Sequence, residues 1–274
     1  MATLGGWRLW HTLVLLIVAP IGIGLAGWFL ETRWAWLVTI GILLLSLGVA
    51  GWAITRLARG VFVDERNKVS LSRFQAVLWT VLVLAGYLAA ALANIRDGSP
   101  NPLSIAIPVE LWIVMGISAT SLVGSPLIKS VKESRRADPI QAAESFHQAG
   151  RLPPAARPRV EGHMLKDPEN QQLLAVGQIA HNPAPEESNW SDLFRGEETS
   201  NQANLDLGKV QMFYFTVILL VAYGVALGQV FAGDGPFGEF PTLDEGMITL
   251  LGISHAAYLV NKAVPRTQEP SVHR

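Results

Sequence analysis

Residues 71–123 read LSRFQAVLWTVLVLAGYLAAALANIRDGSPNPLSIAIPVELWIVMGISATSLV, and residues 207–259 read LGKVQMFYFTVILLVAYGVALGQVFAGDGPFGEFPTLDEGMITLLGISHAAYL. The second stretch repeats the first weakly but without a gap. Leu71, Gln75, Thr80, Val81, Leu84, Tyr87, Ala90, Pro100, Gly116, Ile117 and Ser118 fall on Leu207, Gln211, Thr216, Val217, Leu220, Tyr223, Ala226, Pro236, Gly252, Ile253 and Ser254. Each copy holds two apolar runs, so the repeated unit reads as a pair of membrane-spanning helices. Both copies then enter the membrane the same way, as a parallel repeat.

Working outward, further uncharged runs lie between His11 and Glu31 and between Arg33 and Arg56. Runs of this length cross a hydrocarbon core of about 30 Å as helices of about 20 residues. The second members of the repeat, 111–128 and 246–261, sit at or below the lower limit. Half of the residues are hydrophobic and 16% are charged, a balance too apolar for an ordinary soluble domain of this length. The expected fold is an all-α integral membrane protein of six transmembrane helices. An N-terminal hairpin (1–56) precedes the first repeat (57–128), a polar loop (129–208), the second repeat (209–263) and a tail (264–274).

Charge placement orients the bundle. With six spans and both termini on one side, all Lys and Arg residues except Arg33 and Arg96 fall on that side. Arg56, Arg59, Arg66, Lys68 and Arg73 crowd one loop, and Lys129, Lys132, Arg135 and Arg136 follow the fourth span. The positive-inside rule places both termini and the 129–208 loop in the cytoplasm of a bacterial plasma membrane. A net charge of -1 gives no reason to expect a nucleic-acid partner. The absence of cysteine excludes disulfides and thiolate chemistry.

The 129–208 loop is polar and carries Pro139, Pro153, Pro154, Pro158, Pro168, Pro183 and Pro185. It is expected to be partly disordered, with too little apolar surface for a core of its own. Two stretches read as ordered: Pro139 to Ala149, and a short helix at 188–195 capped by Ser188 or Asn189. Trp190, Leu193 and Phe194 in the latter can pack on the bundle, lie in the lipid interface or dock a cytosolic partner protein.

Candidate chemistry is sparse. Thr80, Tyr87 and Ala90 share one helix face, as do Thr216, Tyr223 and Ala226. That face is either a packing surface or the lining of a pathway, to which Ser118, Ser254 and His255 would belong. His255 is the one ionisable side chain well inside a run, a costly placement that makes it a functional candidate. It replaces Ala119 of the first copy. His11, His147, His163, His181 and His273 have no metal-ligand spacing, and no cofactor fingerprint is present. Small-xxx-small spacings such as Gly116, Thr120 and Gly124 fit close helix contacts and self-association into a homo-oligomer.

Gly116-Ile117-Ser118-Ala119-Thr120 resembles the G-x-S-x motif on the fourth span of rhomboid intramembrane proteases, and His255 on a sixth span resembles that family's catalytic base. The resemblance implies Ser118 as nucleophile and His255 as general base. It covers these positions alone. Thr120 stands where the family has a second glycine, and the W-R loop and H-x-x-x-N signatures are missing. The motif also recurs as Gly252-Ile253-Ser254. The first expectation is therefore a non-enzymatic, self-associating membrane scaffold that recruits a soluble partner through its cytoplasmic loop. The alternative is an oligomeric channel or transporter.

Overall fold

The computed structural model describes residues 7–267. His273 and the end of the tail lie outside the described residues. Most of the described chain is helical. The helices are α1 (Leu9–Phe29), α2 (Thr32–Thr55), α3 (Leu71–Arg96), α4 (Val109–Glu133), α5 (Pro139–Gln148), α6 (Leu207–Val230) and α7 (Glu245–Ala263). Five of them, α1, α2, α3, α4 and α6, are long and apolar enough to cross a membrane. The 19-residue α7 is not in that set, because Ser254, His255, Asn261 and Lys262 dilute a short run.

Helix α4 explains why composition alone understates its membrane character. Leu111, Val114, Ser118, Ser121, Ser125, Lys129 and Lys132 recur every three or four residues and are all buried. Trp112, Val123, Leu127 and Val131 on other faces are exposed. A helix in water turns its apolar stripe inward. This one buries hydroxyls and exposes large apolar side chains, an arrangement compatible with lipid around it.

The chain divides into two compact units. One contains the N-terminal hairpin through Val61 with Gln75–Ser118 and Tyr214–Gly252. Its core gathers Trp36, Trp79, Tyr223, Leu227, Phe231, Phe237 and Phe240 around alanines of α3. Gly86 permits this: a Cβ there would meet Leu227 at 2.8 Å, closer than packed atoms tolerate. Asn94 fixes the loop after α6. Its Oδ1 accepts from the Phe237 N–H at 2.8 Å and its Nδ2 donates to the Phe237 carbonyl at 2.9 Å.

The other unit comprises Phe62–Phe74, Ala119–Phe213 and the stretch from Ile253. Here the expectation of a partly disordered 129–208 loop is corrected. The segment holds α5 and an antiparallel sheet in the order β1 (Arg159–Glu161), β2 (Met164–Lys166), β3 (Leu173–Val176) and β4 (Ile179–Ala180). The protein is thus all-α in its long elements only. Two-residue turns join β1 to β2 and β3 to β4, with Glu161 opposite Met164 and Val176 opposite Ile179. Gly162 and Gly177 hold positive φ in them, the conformation such tight hairpins need. Ala142, Ala143, Phe146, Leu152, Leu165, Leu174 and Ala175 close a core. Asp138 caps α5 by accepting from the Ile140 N–H at 2.8 Å.

Candidate functional site

The repeated polar face does not form two equivalent surfaces. Thr80 is exposed and Tyr87 half-buried, its hydroxyl donating to the Leu103 carbonyl at 3.2 Å. Thr216 and Tyr223 are buried. Gln75 Nε2 on α3 donates to Thr216 Oγ1 on α6 at 2.6 Å, and the Tyr223 hydroxyl donates to the Pro241 carbonyl at 3.1 Å. These contacts join elements of the first unit. They leave the buried hydroxyls engaged with protein.

In the second unit, His255 Nδ1 shares a hydrogen bond with Ser121 Oγ at 2.7 Å. Ser121 lies one turn beyond Ser118 on α4 and was not singled out by sequence. The Oγ atoms of Ser118 and Ser254 are buried without a hydrogen-bond partner among the described residues, as is His255 Nε2. The histidine is paired with a serine other than the one in the rhomboid-like motif.

Of the docking candidates, Leu193 is buried and Phe194 packs edge-on against Phe213 at 5.0 Å. Asn189 caps this turn, its Oδ1 accepting from the Ser191 N–H at 2.9 Å. Trp190 is 48% exposed and lies against Phe62 and Phe74 at 5.7 and 6.3 Å. Leu193 is a core residue, Phe194 is partly buried against that core, and Trp190 is the most exposed of the three.

The densest chemistry in the second unit is a buried ionic cluster that sequence reading did not find. Its first strut is the turn 64–68. Val63 pairs with Val69 across it, and Asn67 takes a left-handed φ of 58°, which asparagine tolerates well. Asp64 Oδ1 accepts from the Arg66 N–H at 3.0 Å, and its Oδ2 binds the Arg66 guanidinium at 2.7 Å. The last two turns of α4 supply Lys129 and Lys132. The first turn of α6 supplies Lys209, and the last turn of α7 supplies Lys262. Glu197 and Glu198 come from the chain before α6.

These groups interlock. Lys129 Nζ meets Asp64 at 3.0 Å and also contacts Glu65. Glu197 Oε1 contacts Lys209 at 3.1 Å and Arg66 at 3.3 Å, and its Oε2 lies 2.6 Å from Lys262. Glu198 Oε1 accepts from Lys132 at 2.7 Å, while Oε2 accepts from the backbone N–H groups of Arg266 and Thr267 at 2.8 and 2.7 Å. Burial alone would raise the Asp64 and Glu197 carboxyls, but the cations facing them hold both well below the usual range. Burial would likewise lower the Arg66 guanidinium, yet Asp64 and Glu197 hold it above its ordinary value.

Lys68 faces more cations than anions. Burial, reinforced by Arg66, Arg151 and Lys209 and opposed by Asp192, lowers its ammonium to about 7. Among the described residues no grouping of His, Asp and Glu could hold a metal ion. The cluster's chemistry is charge pairing. The sequence signal for it was present in the acidic pairs Asp64-Glu65 and Glu197-Glu198, which complement the nearby cations.

No protein-family model matches the chain, and no curated protein or solved structure matches it.

Proposed function

We propose that the chain is a six-span, non-enzymatic protein of a bacterial plasma membrane. In this reading it self-associates and presents its folded 129–208 segment in the cytoplasm to a soluble partner. The observation that carries it is the Gln75–Thr216 hydrogen bond. A hydroxyl preserved through the repeat is spent on helix packing and not on a hydrated route. The repeat itself is supported by register. Helices α3 and α6 start at Leu71 and Leu207, and α4 and α7 start at Val109 and Glu245, the same offset in both pairs.

The inward orientation is supported by the cations of the cluster, all of which belong to the cytoplasmic side in this topology. Purification from native membranes tests the partner. A cytosolic protein that co-purifies with the wild type and is lost from Trp190→Ala, with the fold intact, supports the scaffold. Retention of every partner by that variant removes Trp190 from the account.

A second reading, an oligomeric channel or transporter, draws support from the unpaired Ser254 Oγ and His255 Nε2, since unpaired polar atoms in a bilayer are costly. Solute or ion flux in reconstituted liposomes that requires His255 would replace the scaffold with that reading.

A further inference from the structure

The buried cluster holds more positive than negative charge. The side chains of Arg66, Lys129, Lys132, Lys209 and Lys262 are at most 8% exposed. Their buried counter-charges are Asp64, Glu197 and Glu198, with Glu65 half in water. Buried charge is tolerated when it is both paired and hydrogen-bonded, so the surplus calls for a further anion.

Counting donors locates where that anion would sit. An ammonium has three N–H bonds to give. Lys132 gives all three, to Glu198 and to the carbonyls of Lys262 and Val264. Lys129 gives two, to Asp64 and Glu65. Lys209 gives one, to the Asp192 carbonyl, and is ion-paired with Glu197 Oε1 at 3.1 Å. Lys262 gives one, to the Tyr258 hydroxyl, and is ion-paired with Glu197 Oε2 at 2.6 Å. Three lysines, from α4, α6 and α7, thus keep at least one donor each among the described residues, and all three line a single cleft.

Most acceptors around that cleft already face a donor. Both oxygens of Glu197 face cations, and both oxygens of Glu198 are bonded. Asp206 Oδ1 accepts from the Gly208 and Lys209 N–H groups. The exposed Arg266 stands at the rim. The cleft encloses about 20 Å³ and is partly open. That is more than one water needs.

We propose that this cleft binds a single phosphate group, held by the remaining donors of Lys129, Lys209 and Lys262. A tetrahedral oxyanion accepts from several directions at once and neutralises the surplus, and charge-assisted bonds of this kind are strong. The phosphate comes either from solution or from a lipid head group. The lipid source rests on the membrane reading above. Release of the protein from membranes without detergent would sink that reading and leave the soluble-phosphate arm standing.

The test is thermal unfolding of the full chain in a neutral detergent at pH 7.5. Sodium phosphate is titrated at ionic strength held constant with sodium chloride, and in a parallel series phosphatidylglycerol is added. Saturable binding raises the unfolding midpoint by about 3 °C at tenfold excess over Kd. Asn201→Asp supplies the control. Asn201 lines the cleft, and its Oδ1 accepts from the Glu198 N–H at 3.0 Å. The aspartate keeps that bond and adds a tethered negative charge. The variant is expected to melt no lower than wild type and to lose the response. A rise with phosphatidylglycerol alone assigns the site to a head-group phosphate. No saturable rise with either ligand, or an undiminished rise in Asn201→Asp, overturns the site.

Discussion

The imidazole Nδ1 of His255 and the hydroxyl of Ser121 lie 2.7 Å apart, tying α7 to α4 one turn beyond the serine of the G-x-S-x motif. Ser121→Ala removes this bond and is expected to cost about 1 kcal/mol. Ser118→Ala removes a hydroxyl that bonds nothing among the described residues, so it is expected to cost less than Ser121→Ala. Unfolding midpoints of the two variants in detergent check the order. A larger loss in Ser118→Ala would mean that its hydroxyl has an undetected partner.

The proposed repeat predicts symmetry at Thr80 and Thr216, and the packing at those two positions has none. Thr216→Val strips the acceptor from Gln75 and should destabilise by about 1 kcal/mol, whereas Thr80→Val, at an exposed position, should be neutral or slightly stabilising. Equal losses at both positions would contradict the asymmetry.

Removing one carboxylate from the ionic cluster strands several cations. Glu197→Gln leaves Arg66, Lys209 and Lys262 facing a neutral amide, and a loss of about 3–5 kcal/mol is expected. At the surface Glu161 faces Arg159 at 3.2 Å and Lys166 at 2.6 Å, and Glu161→Gln should move the midpoint far less than Glu197→Gln does. Denaturant midpoints separate the two cases.

Lys68 and Asp64 give the stability profile opposite limbs. The folded pKa of Lys68, about 7, lies below its ordinary value of 10.5, so the unfolded chain binds the extra proton between those values. Stability therefore rises with pH across that window. Asp64 and Glu197 are depressed, so their contribution is complete above the ordinary carboxyl range and falls away as pH drops below it. Lys68→Met should flatten the alkaline rise and leave the acid loss in place. A rise from pH 7 to 10 as steep in that variant as in the wild type would refute the assignment.

The long helices were legible because uncharged runs bounded by charge have few other readings. The turn at Asn189 was legible from its cap, and the stretch from Pro139 to Ala149 from its helical character. The sheet was missed because its strands are only two to four residues long and are bracketed by proline, too short for alternation to register. Gly162 and Gly177 at two-residue hairpins were the available signal. The ionic cluster was missed for another reason. Lys129 and Lys132 continue the buried stripe of Ser121 and Ser125, but cations beside a span already have an explanation in membrane orientation. Their burial depends on Asp64, Glu197 and Glu198, which are remote in sequence.

The central claim is that the repeated Thr/Tyr face is dry, packed protein inside a membrane. The cysteine-free chain allows a direct measurement: single cysteines at Thr216, Tyr223 and His255, with Asp234 as an outer-loop control, exposed in intact cells to a membrane-impermeant thiol reagent. The account predicts labelling at position 234 and none at the other three. Labelling at 216 and 223 would reveal a water-filled route and contradict it.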